Sequence, residues 1–123
     1  MNYLRIIPSL LLSKGKLLKG VSFQDHKNAG SPSSTIVALE SQGADEISLI
    51  DIESYINKSS KEPDFRTLEK ISEVSSTPIT FGGGVTNMET AKKIIRSGAE
   101  KIYLNRIALR NRKLIIDLVN FFG

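Results

Sequence analysis

"TPITFGGGVTNMETAKKIIRSGAEKIYLN", residues 77–105, reads as a strand, a helix and a second strand, and this reading decides the fold. The apolar run "TPITF" ends in three glycines. Asn87 then stands at a helix cap position, "METAKKIIRS" follows with helical apolar spacing, Gly98 stops it, and "EKIYLN" opens the next strand. That order implies parallel strands joined by a right-handed crossover. The glycines need a reason of their own. Ordering them costs roughly 2–3 kcal/mol against alanine, and the patterned flanks argue against a slack linker. Backbone amides brought close to an oxyanion would account for them.

The alternation extends in both directions. "YLRIIPSLLL" is a first strand, and "KGKLLKGVSF" reads as a short excursion that ends in a polar loop. Ser31 is placed to cap "PSSTIVALESQ", with Pro32 at the first helical position and Gly43 as its stop. "DEISLID" is the second strand. Asp64 can cap "FRTLEKISEVS", in which Phe65, Leu68, Ile71 and Val74 share a face, and Asn111 can cap the closing "RKLIIDLVNFF". Residues 1–123 therefore read as one domain of four β-then-α units, a parallel four-stranded sheet with helices on one face. Ligands of such sheets gather at the carboxyl ends of the strands, where the glycines, Asp51 and Asn105 all fall.

A sheet of this kind has two bare edges and one uncovered face. Two copies about a two-fold axis would pair the fourth strand of each with the first strand of the other. The product is a closed eight-stranded barrel, so a homodimer is expected. The whole number of units ending at "FFG" agrees with that expectation.

Composition narrows the function classes. Of the 123 residues 40% are hydrophobic and 24% charged, as in ordinary globular domains. No apolar run approaches the ~20 residues of a membrane span, and Arg5 and Pro8 break the only stretch resembling a leader, so a cytoplasmic protein is expected. There are no cysteines, which excludes disulfides and cysteine-bound zinc, and no motif calls for a metal or cofactor. The net charge of +4 comes from scattered Lys and Arg without a stripe or nucleic-acid motif. That leaves solvated surface charge or an anionic small-molecule site as its meaning. The single histidine, His26, reads as a surface residue.

"RIIPSLLLSKGKLLKG", "GADEISLIDIE", "PITFGGGV" and "GAEKIYLN" together resemble the amino-terminal half of the cyclase subunit of imidazole glycerol phosphate synthase, along essentially the whole chain. That family builds a (βα)8 barrel of histidine biosynthesis from two similar halves. Its cyclase receives ammonia from a glutaminase and acts on a bisphosphorylated intermediate. The resemblance implies a phosphate site at Gly82, Gly83, Gly84, Asn105 and Arg106. Arg106 replaces a small hydroxyl residue, so it either adds a charge-assisted contact or blocks the site by bulk. Lys19 matches a family lysine that either meets phosphate or stands idle on the surface.

One departure concerns the chemistry. The family's first strand carries an aspartate three residues after the proline as acid or base, and this chain has Leu11. An isobutyl group moves no proton, and such transfer contributes roughly 10²–10⁴-fold in rate. Asp51 is the nearest remaining carboxylate, as a weak catalytic candidate or as a group holding a loop. A homodimer would only supply Leu11 twice. A related branch found with sugar amidotransferases also reads "PxLLL" here and is thought to conduct ammonia. At the opposite mouth, Arg5, Glu46 and Lys101 match the family's charged ring, serving either ammonia entry or a salt-bridge plug, while Tyr103 replaces a small interior residue. The expected function is a phosphate-binding half-barrel with cyclase activity weak or lost. The alternatives are a cyclase-type lyase, or an ammonia-conducting subunit working with a glutaminase.

Overall fold

The computed structural model describes residues 3–21, 25–28, 31–53 and 62–123, with the side chains of 19–21 and 25–28 left aside. Its strands are β1 (Ser9–Ser13), β2 (Lys16–Val21), β3 (Asp25–Asn28), β4 (Ile47–Asp51), β5 (Ile79–Gly82) and β6 (Lys101–Tyr103). Its helices are α1 (Pro32–Ser41), α2 (Phe65–Val74), α3 (Met88–Arg96), α4 (Arg106–Arg110) and α5 (Arg112–Phe122). Together the strands form one sheet in the order β3-β2-β1-β4-β5-β6. β1, β4, β5 and β6 run parallel, which is the expected half-barrel frame.

Alternation along the strands sorts the two faces. Leu10, Leu12, Ile47, Leu49, Ile79 and Phe81 point toward the helices, where they meet Ile36, Leu68, Ile71, Ala91, Ile94, Leu114 and Leu118 in one core. Burying each large side chain stabilises by roughly 1.5–3 kcal/mol. The opposite face carries a polar row of direct neighbours, Ser9, Ser48, Thr80 and Lys101, and above it Leu11, Ile50, Gly82 and Tyr103. Among the described residues no helix covers this second face.

Three helix starts follow the capping logic. The side chains of Asp64, Asn87 and Asn111 accept from the amides of Thr67, Thr90 and Leu114. Ser31 does not: its side chain makes no cap bond, and the hydroxyl of Ser34 donates to its carbonyl instead. Pro32 at the first helical position preorganises that end without it.

The stretch after β1 is more than an excursion. Lys14 and Gly15 both have positive φ, +50° and +74°, the signature of a two-residue hairpin turn whose twist matches its strands. β2 therefore folds back antiparallel on β1, with Ser13 opposite Lys16 and Leu11 opposite Leu18. β3 then pairs with β2 and carries His26, so part of the expected polar loop is strand. The expected bare edge of β1 is thus bare only in its lower half. Residues 3–8 have no ladder partner on that side, and on the other the Asp45 amide donates to the Ile6 carbonyl and the Ser48 amide to the Pro8 carbonyl.

Glu40, near the end of α1, clamps the connection that feeds β5. Its carboxylate accepts from the Ser75 hydroxyl, the Ser76 amide and hydroxyl, and the Thr77 amide and hydroxyl. Partial burial raises its pKa, but these donors outweigh that and hold it at about 2, against 4.5 ordinarily. Because the folded value is lowered, its stabilisation is complete above pH 4.5 and is lost as pH falls toward 2. Urea denaturation across pH should show Glu40→Gln less stable than wild type at neutral pH, with the gap closing through that acid window. A gap independent of pH would mean the carboxylate charge is irrelevant.

Candidate functional site

The carboxyl ends of the four parallel strands gather the expected residues unequally. β5 ends in the glycines. Its cross-strand pairing sets Gly82 opposite Tyr103, and a Cβ at Gly82 would lie 2.6 Å from the Tyr103 Cβ. Gly83 has φ +109°, and a Cβ there would sit 2.1 Å from the Asp51 carbonyl oxygen. Two of the three glycines are therefore required by packing within the chain itself. Gly84 also lies in the left-handed region, with φ +72°. Among the described residues, the amides of Gly83 and Gly84 meet no hydrogen-bond acceptor. The loop then leads into α3, whose cap is already filled by Asn87.

Beside this loop, β6 leads to Asn105, which is exposed and makes no side-chain cap bond to α4. Arg106 follows it as an exposed residue at the start of that short helix. The pairing of β5 with β6 brings the glycine loop and Asn105–Arg106 to adjacent strand ends. Lys19 lies on β2, and its side chain falls outside the described ones.

Asp51 is placed differently. It shares the helix-facing side with Ile47 and Leu49 and is 5% exposed. Its two carboxylate oxygens accept from the amides of Glu53, at 3.0 Å, and Asp64, at 2.9 Å. Asp64 in turn accepts from the Thr67 amide and hydroxyl. This relay ties the end of β4 to the start of α2, the loop-holding role weighed from the sequence. Burial pushes the Asp51 carboxyl upward in pKa; the two amide bonds oppose that without cancelling it.

Leu11 stands in the upper inner row with Ile50, Gly82 and Tyr103, so no carboxylate occupies that row where the resemblance implied an acid or base. Sequence reading passed over Glu53, which accepts from the Ser13 hydroxyl at 2.6 Å and has the Lys14 ammonium 4.0 Å away. Its place two residues beyond a strand-ending aspartate was the available signal. Glu40 was also missed, because its partners lie 35 to 37 residues away in sequence.

At the amino-terminal end the structure brings Arg5, Glu46 and Lys101 together. The Glu46 carboxylate accepts from the Arg5 guanidinium and, at 2.9 Å, from the Lys101 ammonium. The glutamate side chain is 6% exposed and both cations are 57% exposed, so one shielded anion holds two cations whose flanks face outward. The hydrogen bond from Lys101 is the largest influence lowering the Glu46 pKa, reinforced by the charge of Arg5. Among the described residues no helix is long and apolar enough to cross a membrane.

A family model described as histidine biosynthesis protein matches residues 5–123. The chain is 40% identical over 119 residues to an imidazole glycerol phosphate synthase subunit HisF of Exiguobacterium sibiricum, covering 97% of this chain and 47% of that protein. It is 41% identical over 124 residues to the subunit of the same name from Alkaliphilus metalliredigens, covering 97% and 46%. The counterpart from Pyrococcus furiosus is 36% identical over 119 residues. The chain spans about half the length of the curated relatives it matches.

The packing of Gly83 separates backbone strain from contact. Gly43 has φ +97° and open space for 4 Å around the point where a methyl would sit, so Gly43→Ala carries backbone strain alone. That costs about 1–3 kcal/mol. Gly83→Ala adds the clash with the Asp51 carbonyl and should destabilise more, read as a lower urea midpoint. Equal losses at the two positions would show that the loop moves aside freely.

Proposed function

Because the chain belongs to the histidine biosynthesis protein family and spans about half the length of its relatives, we propose that it is a half-barrel that closes by pairing with a second copy and binds phosphate-bearing small molecules at its strand ends. The observation carrying the closure is the one-sided layering: helices cover one face, while among the described residues no helix covers the other and the lower edge of β1 has no ladder partner. The phosphate reading is supported by the amides of Gly83 and Gly84, which meet no acceptor among the described residues, beside Asn105, whose side chain makes no cap bond. Such amides and a neighbouring guanidinium are the groups that recognise a phosphate dianion.

Cyclase chemistry by this chain is weak or absent in this reading. Leu11 offers no proton, and Asp51 spends both oxygens on backbone amides on the helix-facing side. A second reading, an ammonia-handling subunit that works with a glutaminase, is favoured by the Arg5–Glu46–Lys101 cluster at the opposite mouth. Its mark would be a glutaminase that co-purifies and is lost with Glu46→Gln.

Light scattering and thermal melts test the primary reading together. The purified chain should show twice its 13.6 kDa mass. Inorganic phosphate or a pentose phosphate at ten times its Kd should stabilise by about 1.4 kcal/mol, a Tm rise of a few degrees. A monomer would defeat the closure, and an unchanged melting temperature at millimolar ligand would defeat the phosphate site.

A further inference from the structure

The pairing within one chain determines how two copies would have to meet, given the half-barrel dimer proposed for this protein. The row Ser9, Ser48, Thr80 and Lys101 crosses all four parallel strands on the inner face. In an eight-stranded α/β barrel the shear is roughly eight residues, so a row followed once around returns about eight positions from its start. Two identical halves contribute about four each. The row that leaves β6 at Lys101 must therefore enter the partner's first strand four positions from Ser9, at Arg5 or at Ser13.

Two observations choose between them. Ser13 already pairs with Lys16 across the hairpin, whereas residues 3–8 have no ladder partner on that edge. The ion cluster gives the direction independently. Arg5 lies four positions below the row on the first strand, Glu46 two below it on β4, and Lys101 on it, yet the three are in contact. A level that climbs this way meets the partner's Arg5 at the next strand.

We propose that a second copy of this chain docks through a short parallel seam in which Lys101 lies opposite the partner's Arg5, Ile102 opposite the partner's Ile6, and Tyr103 opposite the partner's Ile7. The even offset keeps inner residues inner and outer residues outer. It covers Ile6, Ile7 and Tyr103, which are 54%, 42% and 46% exposed in the single chain. It also sets two cations side by side, which opposes pairing, although each retains its own protomer's Glu46.

Disulfide trapping tests the register, since the chain has no cysteine of its own. Within one protomer, positions 7 and 103 are three strand steps apart, about 14 Å, beyond disulfide reach. The double variant Ile7→Cys/Tyr103→Cys should, on oxidation, double in apparent mass on a non-reducing gel. Ile6→Cys/Ile102→Cys probes the same seam from the other face and should do the same if the first pair folds poorly. The offset pair Ser9→Cys/Tyr103→Cys should stay monomeric on that gel. Trapping of the offset pair alone would overturn this register while leaving the dimer standing. No trapping of either seam pair in a chain that scatters as a dimer would overturn the seam itself. A wild-type chain that scatters as a monomer would instead defeat the half-barrel dimer on which the seam rests.

Discussion

The whole arrangement depends on a sheet whose helices, among the described residues, cover only one of its faces. Leu12, Leu49 and Phe81 are fully enclosed beneath the helices. The strand positions between them carry Ser9, Ser48, Thr80 and Lys101 in one row and Leu11, Ile50, Gly82 and Tyr103 in the next. Parallel sheets are ordinarily covered on both sides, because their βαβ crossovers lay helices over the faces. Here the second face is neither apolar enough to demand a second helix layer nor long enough at its edges to stand as an open sheet. Curling onto an equivalent surface, as proposed, would satisfy both, and in a barrel the polar inner row would become interior lining.

The triple glycine shows how one sequence signal can have two physical causes. Gly82 yields to Tyr103 and Gly83 to the Asp51 carbonyl, so tight packing between β4, β5 and β6 explains most of the cost of those residues. Anion binding is then a use to which the resulting loop is suited. The sequence suggested backbone amides approaching an oxyanion; the approach that the structure shows at Gly82 and Gly83 is to Tyr103 and to the Asp51 carbonyl. A composition-level argument cannot separate these cases, because glycine is silent about what stands where its side chain is missing.

Elements with strong local signals were legible, and elements fixed by distant partners were not. Asp64, Asn87 and Asn111 were readable as caps because a cap acts three residues away. The hairpin was overlooked because "SKGK" lacks the Asn-Gly or Asp-Gly signature, and a lysine at positive φ gives no warning of itself. The loop-holding role of Asp51 was visible only as one of two options. Its deciding partner, the Asp64 amide, lies 13 residues onward. The Arg5, Glu46 and Lys101 cluster spans nearly the whole chain, and only the family pattern, not spacing, could place the three at one mouth.

The hairpin has a mechanical consequence for any closure. By pairing with Leu11, Leu12 and Ser13 it removes the upper part of the β1 edge from competition. β6 is only three residues long, so the backbone bonds available at each seam are few. Each contributes about 0.5–1.5 kcal/mol net, too little to hold two chains against the entropy of association. Apolar contact must supply the remainder. The chain exposes apolar side chains for this: Tyr3 and Leu4 in the segment ahead of β1, and Ile116, Val119 and Phe122 on α5. In the proposed dimer the seam strands would determine register, while α5 and the leading segment would determine affinity. Pairing at so short and partly blocked an edge would also limit open-ended strand addition there.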